Sequence, residues 1–322
     1  MWEKGFSRRY FFYGALAGAV PAGGFGTVSS LKAQGYKSPN EKVNLAAIGA
    51  GAQGFLSISG AVGRAENNVV AVADVDFARG TQGFAAYPKA EKYQDYRQML
   101  DKQGKDIDAV TIGIPDHMHT HASLACMQLG KHVYCQKPLT RPAWEARLLT
   151  QAAAKYPKVA TQMGNQGYSH EATRVACEII WSGEIGDVTE VHAMYPRTVW
   201  PQEMVKIPPP TPVPDTLNWD LWLGTAASRP FTDGDQEYFD FVAARNARGR
   251  VGAAGAGPGR GGNSIPTGAP GASVQTTGAY SGGFYVPFNW RGFYDFGSSL
   301  IGDWGSISWD RRIGVCNSIP ST

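Results

Sequence analysis

The sequence predicts an α/β fold with a doubly wound parallel sheet, followed by a second domain. Two observations support the sheet. Short apolar segments alternate with helical segments between residues 43 and 181, and a glycine-rich loop follows the first apolar segment. Alternation of this kind is typical of parallel strands joined by right-handed crossovers.

The predicted strands are short apolar runs, as expected for strands that are covered on both faces. They occupy residues 43–48, 69–73, 109–114, 132–135 and 158–163. The helices between and after them are predicted from the loop to about residue 62 and at residues 78–84, 96–102, 119–129, 141–155 and 171–181. Gly130 and Gly183 stand just beyond two of these helices, where glycine commonly ends a helix.

The pattern changes after residue 181. Residues 188–195 alternate as a half-buried strand would, and this strand is expected to begin the second domain. Residues 243–283 contain twelve glycines among 41 positions and no acidic residue. That composition cannot offset chain entropy by burial, so a flexible insertion is predicted. Its arginines do not alternate with aromatic residues, which argues against the alternative of a glycine-rich RNA-binding segment.

Composition excludes several classes of protein. The 322 residues carry a net charge of +3, which combines +2 in residues 1–20, +4 in residues 243–283 and −3 elsewhere. A mildly acidic body does not indicate a nucleic-acid partner. There is no run of about 20 apolar residues, so a membrane-spanning helix is not expected. The four cysteines are too few and too scattered for a disulfide scaffold.

The N-terminus has the pattern of an export signal. Ser7 is followed by Arg8, Arg9 and three aromatic residues, and a mildly apolar run extends over residues 11–20. Paired arginines before a short apolar segment are typical of a twin-arginine signal. We therefore exclude residues 1–40 from the fold, and expect the twin-arginine machinery as a partner and a periplasmic or otherwise exported location. The alternative is a basic amphipathic tail.

The loop after the first strand has the GxGxxG spacing of a dinucleotide-binding turn. Gly49 permits the tight turn, Gly51 lets the backbone approach a pyrophosphate, and Gly54 lets the helix pack closely on the strand. Ala52 and Gln53 complete the predicted contacts, because the free N–H groups of the following helix start there. The alternative is a glycine turn without a ligand.

The next predicted strand ends in an acid that fits the same ligand. Asp74 lies 20 residues beyond Gly54, where an acid accepts hydrogen bonds from the adenosine ribose. A carboxylate there repels a 2′-phosphate, so NAD is favoured over NADP. Arg79 is close enough in sequence to leave NADP open.

Three closely spaced histidines could indicate a metal-binding site. His117, His119 and His121 alternate, but this spacing would align them only on a strand, and a helix is predicted to begin here. No set of cysteines or carboxylates supports them. We therefore predict no metal site.

Several motifs at the predicted strand ends carry a family resemblance. They are Pro115-Asp116-His117-Met118-His119, Lys137-Pro138, Met163-Gly164-Asn165-Gln166-Gly167, Asn289-Trp290-Arg291-Gly292 and Gly302-Asp303-Trp304-Gly305. In this order, over about residues 43–305, the chain resembles the Gfo/Idh/MocA family, named for glucose–fructose oxidoreductase and inositol dehydrogenase. The resemblance implies a Rossmann domain at residues 41–160. It also implies a substrate domain at residues 161–305, of the α+β type with a mainly antiparallel sheet.

The resemblance assigns roles to four residues. Lys137 would contact the substrate hydroxyl beside the nicotinamide and act as the catalytic residue, while Pro115 and His119 would lie beside the cofactor. Gln136 replaces the glutamate of the family's Glu-Lys-Pro pattern, and an amide can still bond the ribose or the carboxamide. Without the resemblance, the favoured interpretation of Lys137 would be a surface lysine at a strand end.

The expected substrate residues are polar or aromatic and come from several segments. Asn165 and Gln166 follow a strand that should face the cleft, where they can bond sugar hydroxyls. Further residues could line the same pocket, namely Arg197, Trp200, Trp290 and Arg291. Ordinary packing between the domains is the alternative for all six.

The expected function is that of an exported NAD(P)-dependent oxidoreductase. It would oxidise a sugar or sugar derivative by hydride transfer to the nicotinamide, and the resemblance adds a homo-oligomer that pairs through the second-domain sheet. Two alternatives stay open, a glycosidase-type enzyme that uses NAD transiently and a non-catalytic protein that holds the cofactor. Fold alone does not choose among them.

The family pattern stops after Gly305. The family continues with a small residue and a catalytic histidine, where this chain has Ser306 and Ile307. Codons for residues 306–315 can be chosen so that another frame reads Leu-His and a family-like continuation. We therefore expect a one-nucleotide frameshift, with residues 306–322 as an aberrant tail and the second domain incomplete. Such a chain should bind NAD without appreciable turnover.

Replacing Arg8 and Arg9 together with lysine should leave the protein in the cytoplasm, because the twin-arginine pathway depends on the arginine pair. Cell fractionation with immunodetection measures the distribution. A Lys4→Arg variant is the matched control and should be exported. Normal export of the double variant would refute the signal assignment.

Overall fold

Six short strands form one parallel sheet in the computed structural model of the chain. The structure describes residues 42–63, 67–165, 171–191, 206–253, 283–299 and 302–303, and of residues 245–253 it describes the backbone alone. The strands are β1 (Asn44–Ile48), β2 (Asn68–Ala73), β3 (Glu91–Tyr93), β4 (Ala109–Ile112), β5 (His132–Gln136) and β6 (Thr161–Gly164). Their order is β3-β2-β1-β4-β5-β6, so the winding reverses between β1 and β4. This is the doubly wound sheet that the sequence predicts.

The strands alternate with helices, as βαβ units require. The helices are α1 (Ala52–Val62), α2 (Thr81–Ala86), α3 (Tyr96–Gln103), α4 (Asp116–Gln128), α5 (Ala143–Lys155), α6 (Glu171–Trp181), α7 (Trp219–Leu223) and α8 (Gln236–Ala253). Short 3-10 turns occur at Gly104–Asp106 and Asn289–Gly292. None of the helices in the described ranges combines the length and the apolar character needed to cross a bilayer.

The sheet is covered on both faces by apolar side chains. Successive strand residues point to opposite faces, so Ile48 joins one buried cluster with Ile112 and Leu149, while Leu45 joins another with Ile58. This is why the strands appear in the sequence as apolar runs without alternation.

The structure differs from the predicted elements in three places. β3 was not predicted, because Glu91-Lys92-Tyr93 is short and polar and forms a strand only by pairing with β2. Helix α2 begins at Thr81 rather than at residue 78, and α4 begins at Asp116 rather than at residue 119. Pro115 precedes α4 in an extended conformation, which fixes that earlier start.

Beyond β6, the described residues form helices and a 3-10 turn but no strand. A strand was predicted at residues 188–195. Residues 188–191 are irregular, and residues 192–195 lie outside the described residues. The antiparallel sheet of the second domain therefore stays a prediction.

The predicted glycine-rich insertion also begins later than expected. Helix α8 continues to Ala253, so residues 243–253 are helical. Alanine and arginine dominate this stretch, and both have high helix propensity. Residues 254–282 lie outside the described residues.

A second apolar core, which we call the aromatic cluster, packs beside the end of β2. Its members are Leu217, Trp219, Trp222, Leu223, Phe231, Tyr238, Val242, Phe284, Tyr285, Trp290 and Phe296. An antiparallel bridge joins Asp76 to Leu217, and the amide of Asn218 donates to the carbonyl of Val75 at 2.9 Å. The cluster is thus attached to the carboxyl edge of the sheet.

Substituting Gly54 with alanine should lower the free energy of unfolding by roughly 1–3 kcal/mol, because an added methyl group overpacks a tight contact. A Cβ at Gly54 would lie 2.4 Å from the carbonyl oxygen of Gly49, which is backbone and cannot rotate away. Urea denaturation measures the change.

Gly60 provides the matched control on the same helix. A Cβ there meets nothing within 4 Å. Gly60→Ala should therefore raise the free energy of unfolding by roughly 0.5–1 kcal/mol through helix propensity. Equal stability of the two variants would contradict the packing assigned to Gly54.

Candidate active site

A cleft of about 730 Å³ opens at the carboxyl edge of the parallel sheet. One wall comes from the loop after β1, the end of β2 and the segments that follow β4 and β5. The other wall comes from the aromatic cluster and its neighbours, including Trp222 and residues 286–291. Ligands of doubly wound sheets bind at this edge, next to the point where the strand order reverses.

The glycine loop leaves space for a ligand's phosphates. Gly49 has φ +95°, and a Cβ there would lie 2.3 Å from the carbonyl oxygen of Gly113. Gly51 caps α1 and has no side chain to occupy the free N–H groups of the first turn. Gly49, Gly51, Ala52 and Gln53 line the cleft, and Gly54 lies behind them in contact with Gly49. The start of α1 therefore offers donors and a positive dipole end to an anion.

Asp74 braces this loop from the end of β2. Its Oδ2 accepts from the amide of Ala50 at 2.8 Å, and its Oδ1 accepts from the amide of Asp76 at 3.0 Å. Burial raises the pKa of the Asp74 carboxyl, against the lowering effect of these amides. Asp74 and Arg79 both line the cleft. Asp74 therefore lines the cleft beside the glycine loop, and its contact with a ribose hydroxyl stays a prediction.

Gln136 presents an unsatisfied acceptor beside the loop. The side chain is buried, and its Nε2 donates to Ser57 Oγ at 2.9 Å, while Ser57 Oγ donates to the carbonyl of Gln53 at 2.8 Å. Gln136 Oε1 has no hydrogen-bond partner among the described residues. Because Gln136 lines the cleft, this oxygen can accept from a carboxamide N–H or a ribose hydroxyl. The glycine cradle and this orphan acceptor both fit a dinucleotide.

A buried carboxylate holds two cations at the far end of the cleft. Lys137 Nζ lies 2.5 Å from Asp303 Oδ1, and Arg291 Nε lies 3.1 Å from Asp303 Oδ2. The guanidinium of Arg291 also packs over the rings of Phe288 and Trp290, at 4.3 and 4.2 Å. The arrangement fixes the direction of the Lys137 side chain, because Asp303 is itself held from the opposite side.

Asp116 connects this segment to helix α4. Asp116 Oδ2 accepts from the backbone amide of Ser298 at 3.1 Å and from its hydroxyl at 2.8 Å. Burial raises the pKa of the Asp116 carboxyl, whereas the charge of His119 lowers it. Ser298 is thereby attached to the start of α4, which follows β4 at the carboxyl edge of the sheet.

The three histidines of α4 have separate environments. His117 Nε2 donates to the carbonyl of Trp222 at 3.1 Å, and its ring packs against Trp222 and Phe296. His119 lies between two backbone carbonyls. Within the described ranges, no three potential ligand side chains converge in a way that could hold a metal ion.

The structure brings together some of the predicted site residues and separates others. Pro115, Lys137, Trp290 and Arg291 line the cleft, whereas His119 is 1% exposed and lies behind the wall that they form. Asn165 is buried after β6, and it is not among the residues that line the cleft. The remaining predicted substrate residues, Gln166, Arg197 and Trp200, lie outside the described residues.

Three functional candidates were missed by the sequence analysis. Asp303 pairs with Lys137, Asp116 holds Ser298, and Ser57 orients Gln136. Asp303 stands in the Gly302-Asp303-Trp304-Gly305 motif, so a signal for it was present. Asp116 likewise stands in the Pro115-Asp116-His117-Met118-His119 motif, whereas Ser57 carries no pattern that would have distinguished it from an ordinary helix residue.

The sheet order, the glycine cradle and Asp74 define a dinucleotide-binding Rossmann domain. Residues 43–164 match the family model GFO_IDH_MocA, described as an oxidoreductase family with an NAD-binding Rossmann fold. Residues 43–164 are therefore similar to the NAD-binding Rossmann domain of this oxidoreductase family.

Two named relatives each match less than half of the chain. The chain is 30% identical over 162 residues to inositol 2-dehydrogenase of Rhodococcus erythropolis, which is 49% of this chain and 45% of that protein. It is 33% identical over 132 residues to dTDP-3,4-didehydro-2,6-dideoxy-alpha-D-glucose 3-reductase of Saccharopolyspora spinosa, which is 41% of this chain and 38% of that protein. Each match spans less than half the length of the relative.

A solved structure is similar over a comparable part. Scyllo-inositol dehydrogenase from Lactobacillus casei with bound NAD(H) and scyllo-inositol matches 46% of this chain and 44% of its own. The TM-score is 0.42 at 23% sequence identity.

Replacing Asp74 with asparagine should weaken NAD binding about tenfold, because a hydrogen bond to a charged group is lost from the ribose. The preference for NAD over NADP should also narrow, since the carboxylate that repels a 2′-phosphate is gone. Isothermal titration with both cofactors measures the two affinities.

Asp108→Asn is the matched control for this substitution. Asp108 Oδ2 also accepts a backbone amide next to the sheet, from Asn44 at 2.9 Å, but Asp108 does not line the cleft. The control should bind NAD as the unsubstituted protein does. An unchanged ratio of NAD to NADP affinity in Asp74→Asn would refute the ribose assignment.

Proposed function

We propose that the protein is an NAD(P)-dependent oxidoreductase that interconverts an alcohol and a ketone on a sugar or sugar derivative. One observation carries the proposal. The Lys137 ammonium is held by Asp303 at 2.5 Å in the same cleft as the glycine loop. A proton-transferring group is thus placed beside a site for a hydride-transferring cofactor.

The chemistry divides between cofactor and protein. When bound, the nicotinamide takes or gives the hydride at the substrate carbon. In the oxidation direction, Lys137 acts as the neutral amine, and its Nζ accepts the hydroxyl proton and becomes the ammonium as the carbon–oxygen bond becomes a carbonyl. In the reduction direction, Nζ donates that proton to the carbonyl oxygen. Asp303 holds Lys137 in place for both directions, and Arg291 holds Asp303.

Arg291 also supports the choice of a hydroxyl-rich substrate. Its guanidinium has five N–H donors, and the bonds to Asp303 and to the carbonyl of Phe288 use Nε and one Nη1 donor. Further donors that face the cleft can bond vicinal hydroxyl groups. The relatives named above, an inositol dehydrogenase and a deoxysugar reductase, support a polyhydroxylated ring as the substrate.

Asp74 supports NAD as the preferred cofactor. Asp74 lines the cleft beside the glycine loop, and Asp76, two residues beyond it, also lines the cleft. Two acidic side chains disfavour a further negative charge at that position. Arg79 in the same wall is the residue that would accommodate NADP.

We also propose that the protein is exported with its cofactor through the twin-arginine pathway. The support is the Ser7-Arg8-Arg9 pattern, which lies outside the described residues. A dinucleotide is scarce outside the cytoplasm, so the cofactor would be loaded before translocation of the folded chain. Pairing of subunits through a second-domain sheet belongs to the same proposal.

Substituting Lys137 with methionine should lower substrate-dependent NADH formation by about 10²–10⁴-fold, because the proton-transferring group is removed. NAD binding should stay within about twofold, since the loop and Asp74 hold the cofactor. The assay uses the form that continues in the alternative frame after Gly305, because the chain as written is expected to bind NAD without appreciable turnover. Inositol and a panel of sugars serve as substrates.

Lys155→Met is the matched control, because Lys155 lies at the end of α5 and does not line the cleft. It should leave both NADH formation and NAD binding unchanged. Lys137→Met with the turnover of the unsubstituted protein would overturn the proposed function.

A further inference from the structure

Helix α4 places His119 between two backbone carbonyl groups. His119 Nδ1 lies 2.7 Å from the carbonyl oxygen of Pro138, and Nε2 lies 2.8 Å from that of Ile114. A carbonyl oxygen accepts a hydrogen bond and cannot donate one. Both ring nitrogens must therefore carry a proton if both contacts are hydrogen bonds, and an imidazole with two N–H groups is a cation.

Turning the ring over does not remove this requirement. A half-turn would place ring carbons at 2.7 and 2.8 Å from the two oxygens. Contacts between a C–H group and a carbonyl oxygen have carbon–oxygen distances of about 3.3–3.6 Å. The observed orientation, with a nitrogen toward each carbonyl, is the one that the distances allow.

The surroundings of His119 favour the charged form. Burial opposes the charge, but Cys135, Asp116 and the carbonyl of Pro138 outweigh it and raise the pKa of His119 to about 9. The ionisable groups that face this part of α4 are Asp116 on α4 itself, Cys135 on β5, Glu145 on α5, and Asp303 and Arg291, which interact with Asp116.

His117, two residues away on the same helix, shows the opposite behaviour. Burial lowers the pKa of His117 to about 4, although the carbonyl of Trp222 favours the charged form. Only one of its ring nitrogens has a partner among the described residues, and Nδ1 has none. Both histidines are buried, but their polar contacts differ, so His117 is neutral and His119 is charged.

We propose that protonated His119 links the two loops that form the wall of the cleft by donating one hydrogen bond to each. In this way it acts as a positioning residue for Lys137. Ile114 immediately precedes Pro115, and Pro138 immediately follows Lys137, and both of these neighbours line the cleft. The imidazolium therefore fixes the separation of the two loops. The role of Lys137 in this statement rests on the proposed function, whereas the charge of His119 does not.

The direction of the pH dependence follows from the two states of the ring. The folded pKa of His119 lies above the ordinary value, so its contribution to stability is fully present below about pH 6.5 and is lost as the pH rises through about 9. Above that pH, one carbonyl faces a nitrogen lone pair instead of an N–H group. The loop that carries that carbonyl is then no longer held.

Nitrogen NMR of the full chain labelled with [¹⁵N]histidine tests the charge directly. At pH 8, histidines with an ordinary pKa near 6.5 are almost entirely neutral. We expect one residue with two protonated ring nitrogens at this pH, which loses its proton only near pH 9. Removal of its signal in His119→Gln assigns it, and His117 should show one bare nitrogen. A spectrum at pH 8 without an imidazolium would overturn the proposal, whether or not the variant folds.

Trace acetylation followed by mass spectrometry tests the positioning of Lys137. Glutamine at position 119 can donate to only one carbonyl, so the Lys137 amine should be labelled at least about threefold faster in His119→Gln at pH 8. Lys155 in the same sample is the internal reference. His121→Gln, on the same helix, is the matched control and should label as the unsubstituted protein does.

The pH profile separates positioning from a general loss of structure. In the unsubstituted protein, the ratio of Lys137 labelling to Lys155 labelling should rise near pH 9, because His119 loses its proton there. This rise should be missing in His119→Gln. Identical Lys137 profiles in the two proteins would refute the positioning role. If the form that continues in the alternative frame after Gly305 shows the imidazolium signal but no hydride transfer, the proposed function alone is refuted.

Discussion

The close approach of backbone at three glycines is the constraint on which the rest of the structure depends. A Cβ at Gly49 would meet the carbonyl of Gly113, and a Cβ at Gly54 would meet both Gly49 and Gly113. Strands β1 and β4 and helix α1 can therefore meet without intervening side chains. Because this contact sets the start of α1 over the carboxyl edge of the sheet, it also sets where a pyrophosphate can bind. Asp74, Gln136 and Lys137 take their places relative to that point.

Alternating buried charges connect this edge to residues far away in the sequence. Lys137 and Arg291 share Asp303, and Asp116 lies between that group and the cationic His119. An unpaired charge in such a place is strongly unfavourable, so each member depends on its neighbours. Arg291, Ser298 and Asp303 are thus held near the strand ends by ion pairs and hydrogen bonds.

The aromatic cluster supplies the second wall of the cleft. Cofactor binding and the choice of substrate therefore depend on different parts of the chain. The segment that matches the family model, residues 43–164, holds the cofactor-binding groups. Trp290, Arg291 and Asp303 lie outside that segment, yet Trp290 and Arg291 line the same cleft as Lys137, and Asp303 pairs with Lys137. The family match therefore accounts for the dinucleotide half of the site. The choice of substrate depends on residues that the match does not cover, and on how α7 and residues 286–291 pack against β2 and α4.

The sequence by itself determined the parallel sheet, the loop at Gly49–Gly54 and the acid at Asp74. These features follow from local patterns, since buried strands are apolar runs and a tight turn at a phosphate needs glycine at fixed spacing. The sequence also identified Lys137, although through a motif rather than through its surroundings.

Tertiary structure alone decided which groups meet Lys137 and which histidine carries a charge. His117 and His119 are identical residues two positions apart, and no local pattern distinguishes them. Their surroundings differ because Cys135, Asp116 and the carbonyls of Ile114 and Pro138 face His119, whereas the carbonyl of Trp222, more than a hundred residues away, accepts from His117. The pairing of Lys137 with Asp303 spans 166 residues in the same way. Hydrogen bonds and ion pairs act over a few ångströms, so they depend on distances that only the folded chain establishes.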